Sequence, residues 1–483
     1  MPKKNRRTSQ FIENVSIIDA AAEGVAVAKP DDKVVFIPFG APGDVVDIEV
    51  FKKKRNYFEG KIINFKSYSE KRTAPVCDHF GICGGCKWQH LDYQWQLHYK
   101  QKQVKDNFER IGKIEYPEIR PIIGCDNQFY YRNKLEYTFS NRKWFTDGVP
   151  TDVNNPAVAS GLGFHLPGMF DRILDIQHCH LQADPSNRIR LAIKEFSIAK
   201  NYSFYDARNH SGFLRNLLIR NTSIGDLMVI VVTGYEDQCT ENELLPFIAE
   251  TFPEITSLMW VVNTKKNDII NDLEIKLFRS KPFITEQMKS PDDQFPDLKF
   301  NIGPVSFYQT NSVQAGKLYK TAFDFADFKG HELVYDLYTG TGTIANYVAR
   351  NVKQVIGIEY VAEAIADAGI NSALNQIDNT VFYAGDMVDV LNDEFVSTHG
   401  KPDVIITDPP RAGMHEKVVN QILKIEPEKV VYISCNPATQ ARDLQLLDSK
   451  YKVIAVQPVD MFPQTHHVEN VVLLVKRITA DLN

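Results

Sequence analysis

Four short apolar runs crowd the last third of the chain: "ELVYDLYTG", "QVIGIEY", "DVIITDPP" and "VVYISCNP". Helix-like stretches separate most of them. Apolar strands alternating with helices can bury both faces only as a parallel sheet between two helical layers. This rhythm starts near residue 307 and predicts an α/β domain over 301–483. It also says where chemistry will lie, because such sheets display ligand groups at the carboxyl ends of their strands.

The first run ends in "VYDLYTGTGTIANYVA", a strand, a glycine turn and a helix. Gly340 and Gly342 let the backbone turn tightly and approach a ligand. Glu359 ends the next run, nineteen residues beyond Gly340. A carboxylate at that place can accept both hydroxyls of a ribose. A nucleoside ligand follows, but Gly340-x-Gly342-x-x-Ala345 suits a dinucleotide as well as S-adenosylmethionine. The third run decides between them. In "TDPPR" two prolines stiffen the loop beside Asp408 and remove backbone donors. Hydride transfer has no evident use for that loop, whereas an enzyme holding a flat base beside a methyl donor does.

The fourth run stops at Cys435, before Asn-Pro. A packing cysteine belongs inside the run; this one stands where a strand gives way to a turn. It should open on the same sheet edge as Asp408. Near the C-terminus, "MFPQTHHVENVVLL" sets Glu469 just before a further apolar run. Separately, Cys435 reads as filler, Glu469 as a surface carboxylate and His466 and His467 as loop residues. Together the cysteine and the carboxylate suit one reaction. C5 of uracil is a poor nucleophile. A thiolate adding at C6 makes C5 an enolate carbon able to attack a methylsulfonium. A base then removes the C5 proton, and the thiolate leaves. The helix start at Pro437 is expected to help lower the thiol's pKa.

The rest of the chain has other patterns. Over about 11–65, short apolar runs are broken by Pro-Phe-Gly and Pro-Gly turns, and Val46, Ile48 and Val50 alternate with Asp47 and Glu49. This predicts a small β-barrel. "CDHFGICGGC" places Cys77, Cys83 and Cys86 close together with glycines between, a strong metal signal that leaves zinc and an iron–sulfur cluster both open. Seven cysteines without a secretion signal argue against a disulfide framework. A helix follows over about 93–111. The mixed α+β region to residue 300 carries little more, and the Pro- and Asp-rich segment 289–300 reads as a linker. Net charge is -6, so the chain is no uniformly basic coat for nucleic acid. Basic residues gather only in "KKNRR" and "KKKRNY". No apolar run is long enough to span a bilayer, and a cytoplasmic protein is expected.

These motifs resemble the class I RNA (uracil-5-)-methyltransferases, most closely the iron–sulfur type acting on large-subunit (23S) ribosomal RNA. "SFYQTN", "DLYTGTG", "GIEY", "TDPPR", "SCNPATQARD" and "FPQTHHVE" occur in that family's order, and "CGGCKWQH" and "YRNK" match upstream. "DLYTGTG" departs from many relatives in having Tyr-Thr for Phe-Cys, which leaves the cofactor reading intact. The resemblance implies an RNA-binding barrel of the TRAM type over 1–68, a central domain over 69–300 and a Rossmann-like methyltransferase domain beyond. It implies that the helix after the cysteines packs on the catalytic domain. It makes Cys435 the nucleophile and Glu469 the base. It puts Gln309, the backbone of Tyr338, Gly340, Glu359, Asp386 and Asp408 around S-adenosylmethionine, with Phe307 and Asp408 beside the flipped uracil. It adds Cys179 as fourth ligand of a [4Fe–4S] cluster, with His178 and His180 as rivals, and leaves Cys125 and Cys239 to packing. RNA is the expected partner and a monomer the expected state. The alternatives are the same chemistry on transfer RNA, amino-methylation of a purine through Asp408-Pro-Pro, and an RNA-binding assembly factor without catalysis.

Overall fold

The computed structural model describes residues 10–478 other than Asp147; the "KKNRR" run lies outside them. Strands β1 (Gln10–Ala20), β2 (Ala26–Ala28), β3 (Val34–Ile37), β4 (Val45–Lys53) and β5 (Tyr57–Ser67) close into a barrel in the order β1-β2-β3-β5-β4. The period-2 pattern of β4 turns Val46, Ile48 and Val50 into the barrel core beside Val15, Ile17, Val35 and Ile37. The exit from the barrel is pinned by a buried charge. Asp44 accepts from the backbone of Ala41 and Ser69 and from Nε and Nη2 of Arg72 at 2.7–2.9 Å. Its desolvation is thereby offset, and the Arg72 hydrogen bonds hold its carboxyl below the usual range.

The central region is a seven-stranded sheet. Its strands are β6 (Lys134–Ser140), β7 (Gly161–Leu166), β8 (Met169–Asp175), β9 (Leu214–Asn221), β10 (Leu227–Thr233), β11 (Ser257–Val262) and β12 (Ile275–Ser280), in the order β12-β11-β10-β9-β6-β7-β8. The helix Ser186–Ala199 packs its Ile189 and Ile193 into this sheet's core. The segment read as a linker is not one. Residues 289–300 connect and partly form a hairpin of β13 (Ile284–Met288) and β14 (Leu298–Ile302). Leu298, Phe300 and Ile302 alternate inward and are buried, and Asn371 and Asn375 accept from the backbone of Asn301 and Lys299 at 2.8 Å. The Pro- and Asp-rich turn concealed that alternation.

The last sheet holds β15 (Leu333–Leu337), β16 (Gln354–Glu359), β17 (Thr380–Ala384), β18 (Val404–Thr407), β19 (Lys429–Ser434), β20 (Tyr451–Val459) and β21 (Glu469–Lys476), in the order β17-β16-β15-β18-β19-β21-β20. The first five run parallel, while β21 pairs antiparallel with both β19 and β20. The chain reverses its winding between β15 and β18. The helix Tyr93–Asn107 lies against this domain. Its Lys100 ion-pairs with Asp460 at 2.6 Å with both side chains 0% exposed, Tyr93 donates to the same carboxylate, and Gln96 exchanges hydrogen bonds with Gln464. Removing either member of such a pair would strand a buried charge, typically at a cost of about 3–5 kcal/mol. The segment leading to Glu469 is therefore clamped from outside its own domain.

Candidate active site and cysteine cavity

The crevice at a winding reversal is where parallel sheets bind ligands, and the β15–β18 edge holds most of the expected residues. Leu337 pairs with Thr407 in register, so Tyr338 and Asp408 leave the two strands side by side. Tyr338 takes a left-handed φ of 64°, unusual for a residue with a side chain. Gly340 and Gly342 follow with φ of 55° and 73°. A Cβ on Gly342 would lie 2.8 Å from that of Ala368, whereas one on Gly340 would meet nothing. Open space over Gly340 is what a ligand lying on this turn requires. Glu359 ends β16 with its carboxylate accepting from Gly340 N at 3.2 Å and Val361 N at 3.1 Å. Asp386 lies on the same edge, exposed, capping the short helix Met387–Val390.

Cys435 and Glu469 meet at the other side of this crevice. Ser434 pairs with Asn470 across β19 and β21, so the next positions along the ladder face one another. Opposed residues in an antiparallel pair project to the same side. The loop of Cys435 is fastened to that of Asp408: Asn436 Nδ2 and Thr439 Oγ1 both donate to the carbonyl of Arg411, at 3.0 and 3.2 Å. The helix after the cysteine runs over Pro437–Leu447, capped by Asn436.

The electrostatics are those of crowded, desolvated acids. Burial, then the charge of Asp408, push Glu469 up to about 8, with Arg411 opposing. Burial and Asp336 push Asp408 up to about 7. Cys435 goes up to about 12, through burial and then the charges of Glu469 and Asp408. The sequence led to a lowered thiol. Two neighbouring carboxylates and desolvation outweigh the helix start, so the resting cysteine is a thiol.

Phe307 exposes 69% of its surface beside the glycine turn, its carbonyl accepting from Thr341 Oγ1 at 3.4 Å. The Gln309 side chain lies beside the buried Tyr319 hydroxyl, and Asn133 of the "YRNK" motif ties the Gln309 carbonyl down at 3.0 Å. Three residues here were not singled out from the sequence. Asp336 is fully buried beneath the turn, pushed up to about 7 and bonded to Thr339 Oγ1 at 2.5 Å. Tyr319 lies buried among Asp408, Asp336 and Glu469. Arg411 is the cation that opposes the acidity around Cys435. Tyr319 lies inside a helix pattern with no motif to flag it, whereas Asp336 opens "DLYTGTG", a motif read through its glycines rather than its carboxylate.

A second cavity, about 350 Å³, lies between the cysteine segment and the central sheet. Cys77, Cys83, Cys86 and Cys179 all line it, with His79, His178 and His180. Cys179 is set by Asn187, which accepts from its N–H at 2.8 Å and donates to its carbonyl at 3.2 Å. Burial, with the mutual charge of the thiols, pushes Cys83 up to about 11 and Cys86 up to about 12. Among the described residues, no three His, Cys, Asp or Glu side chains close on a point that could hold one metal ion. All seven cysteines are free thiols. Cys125 accepts from Asn311 Nδ2 at 3.4 Å.

Residues 272–477 match the family model described as tRNA (uracil-5-)-methyltransferase, and residues 12–63 match the TRAM domain. An uncharacterized RNA methyltransferase of Bacteroides thetaiotaomicron is 58% identical over 94% of this chain and 99% of its own length. Another, of Porphyromonas gingivalis, is 54% identical over 96% and 99%. Among solved structures, the Pyrococcus abyssi tRNA (uracil-54, C5)-methyltransferase in complex with S-adenosyl-L-homocysteine is 27% identical. It superposes with a TM-score of 0.73 over 95% of this chain and 100% of that one.

Proposed function

The chain belongs to the TRAM-containing family of S-adenosylmethionine-dependent RNA uracil-5 methyltransferases, and on that premise we propose that it methylates C5 of a uridine in 23S ribosomal RNA with Cys435 as nucleophile and Glu469 as base. The observation that carries this reading is the pairing of β19 with β21, which ends with Ser434 opposite Asn470 and so brings the next residues, Cys435 and Glu469, together within the field of Asp408. Amino-methylation of a purine has no use for a cysteine there.

Cys435 first gives up its thiol proton to solvent; the thiolate Sγ then forms a bond to C6 of the flipped uracil, and the C5–C6 π electrons move to make C5 an enolate carbon. S-adenosylmethionine, when bound, supplies the methyl group from its sulfonium. Glu469 then takes the C5 proton, and the C6–S bond breaks to restore the ring and the thiolate. The residues at the β15–β18 edge fit the donor. Glu359 holds its carboxylate against the glycine turn, where it would accept the ribose hydroxyls, the space above Gly340 is clear, and Gln309, Tyr338, Asp386 and Asp408 would frame the remainder. Phe307, with its exposed ring, and Asp408 border the uracil.

The four cysteines would hold a [4Fe–4S] cluster. Their donor chemistry fits, since soft thiolates raised in pKa by burial call for a cationic centre. A cavity of about 350 Å³ also favours a polynuclear group over one zinc ion. Anaerobic purification is expected to give about four iron and four sulfide per chain with visible absorbance, lost in Cys83→Ser. Zinc without sulfide would replace this reading.

The resemblance and the cysteine cavity support ribosomal RNA, and transfer RNA is the second reading. Unmodified ribosomal and transfer RNA carrying tritium at uridine C5 separate them. Tritium released to water from ribosomal RNA alone is the expected result. Release from transfer RNA alone keeps the chemistry and overturns the substrate. Release from neither, with donor bound, overturns uracil-5 methylation.

A further inference from the structure

We infer that the seam between the barrel and the cysteine segment holds a second RNA site, a stacking pocket for one unpaired nucleobase outside the active-site crevice. This inference rests on the reading of RNA as the substrate. The pocket, about 620 Å³, is lined by Phe39, Phe65, Tyr68, Arg72, Phe80 and His90 among others. One wall is a pair of stacked rings. Phe65 and Tyr68 lie 4.6 Å apart at 23° between planes, and Tyr68 keeps 69% of its surface exposed. The other wall is Phe80, 5.5 Å from Phe39 and 5.4 Å from His90.

Arg72 joins the two walls. Its guanidinium lies 4.9 Å from the Phe65 ring and 5.8 Å from that of Tyr68. It cannot swing away, because Nε and Nη2 are committed to buried Asp44 and to the carbonyl of Phe39. A folding anchor alone would need neither an exposed tyrosine stacked on the neighbouring Phe65 nor further aromatic rings lining the same pocket.

The chemistry selects the occupant. Flat π faces recognise a flat π ligand. A fixed guanidinium at the same place disfavours a cationic ligand such as a methylated lysine, and its Nη1 hydrogens suit the carbonyl and ring-nitrogen acceptors of a base. The barrel also supplies a route for the phosphates. The end of β4 and the turn after it expose Lys53, Lys54 and Arg55, and β5 runs from that basic tip to Phe65, with Tyr68 just past its end. Its length is roughly 11 × 3.3 Å, which is several nucleotides of single strand. An electrostatic track ending in aromatic rings is the common form of a single-strand site.

The test uses the full-length protein and fluorescein-labelled decamers, oligo(rA) and its fully abasic counterpart, read by anisotropy at one salt concentration. The wild type is expected to bind oligo(rA) about tenfold more tightly than the abasic strand. Tyr68→Ala should abolish that difference and Tyr68→Phe should keep it, with the melting temperature unchanged because Tyr68 is exposed. Equal affinity of the wild type for both strands overturns the proposal, and so does a difference that survives Tyr68→Ala. Tritium release from RNA is followed in parallel. A wild type that discriminates the base but transfers no methyl retires the enzymatic reading and leaves the pocket standing, whereas the converse retires the pocket alone.

Discussion

With Cys435 replaced by alanine, methyl transfer to RNA is expected to fall by at least about 10⁴-fold while S-adenosylmethionine still binds. Loss of a covalent nucleophile commonly costs this much or more, because every later step depends on the first bond. At about 1.4 kcal/mol per decade, the barrier rises by about 5–6 kcal/mol. Tritium at C5 should also stay in place, since C5 cannot exchange or react until C6 carries the sulfur. The donor site should be intact, because Glu359, Gly340 and Tyr338 sit across the crevice at β15 and β16. Alanine leaves the loop's fastening to Arg411 in place, as Asn436 and Thr439 make those bonds. Binding of the donor by calorimetry and tritium release on the same preparation decide the matter. Activity that survives the substitution would sink covalent catalysis and bring amino-methylation of a purine forward.

What the sequence made legible was whatever repeats locally or stands at a strand end. The parallel sheet could be read because its strands are short, mostly apolar and spaced by helices. The barrel could be read from the alternation in β4. In the central region "NKLEYTFS" and "LMVIVVTG" read as strands, matching β6 and β10, but the order of the sheet could not be read. Its β9 and β10 are buried along nearly their whole length, so they show no period, and β10 joins one neighbour parallel and the other antiparallel. The 289–300 hairpin was hidden by its Pro- and Asp-rich turn. The clamp of Lys100 on Asp460 joins residues 360 positions apart, and no local pattern records it. At the site, motif order brought Cys435, Asp408 and Glu469 to one place, but not their mutual effect. The raised thiol depends on which carboxylates end up beside it, which is a property of the packed sheet edge rather than of "SCNP".

Glu469→Gln should stop the reaction after methyl transfer rather than before it. The amide of the variant cannot take the C5 proton, so the methylated ring keeps its bond to Cys435 and the C6–S bond has no route to break. The expected result is a protein–RNA adduct that survives denaturing electrophoresis and carries one labelled methyl per chain, with turnover lowered by about 10²–10⁴-fold. The pH dependence supplies an independent arm. Glu469 is pushed up to about 8 and must be a carboxylate to act, so wild-type turnover should climb between pH 7 and 9, with Cys435 deprotonation adding to the same slope. The two groups interact, so the midpoint belongs to the pair. The same shift predicts the fold's behaviour. An unfolded glutamate titrates near 4.3, and the native one binds its proton more tightly. Below about pH 4 both states are protonated. As pH rises from there to about 8, the native state holds more protons than the unfolded one, and its stability falls with pH. Glutamine removes that loss, so the variant should melt at least as high as the wild type at pH 8. Lost turnover could not then be ascribed to unfolding. Near-normal turnover in Glu469→Gln, with no trapped adduct, would mean that another group takes the proton, and Asp408 would be the next to replace.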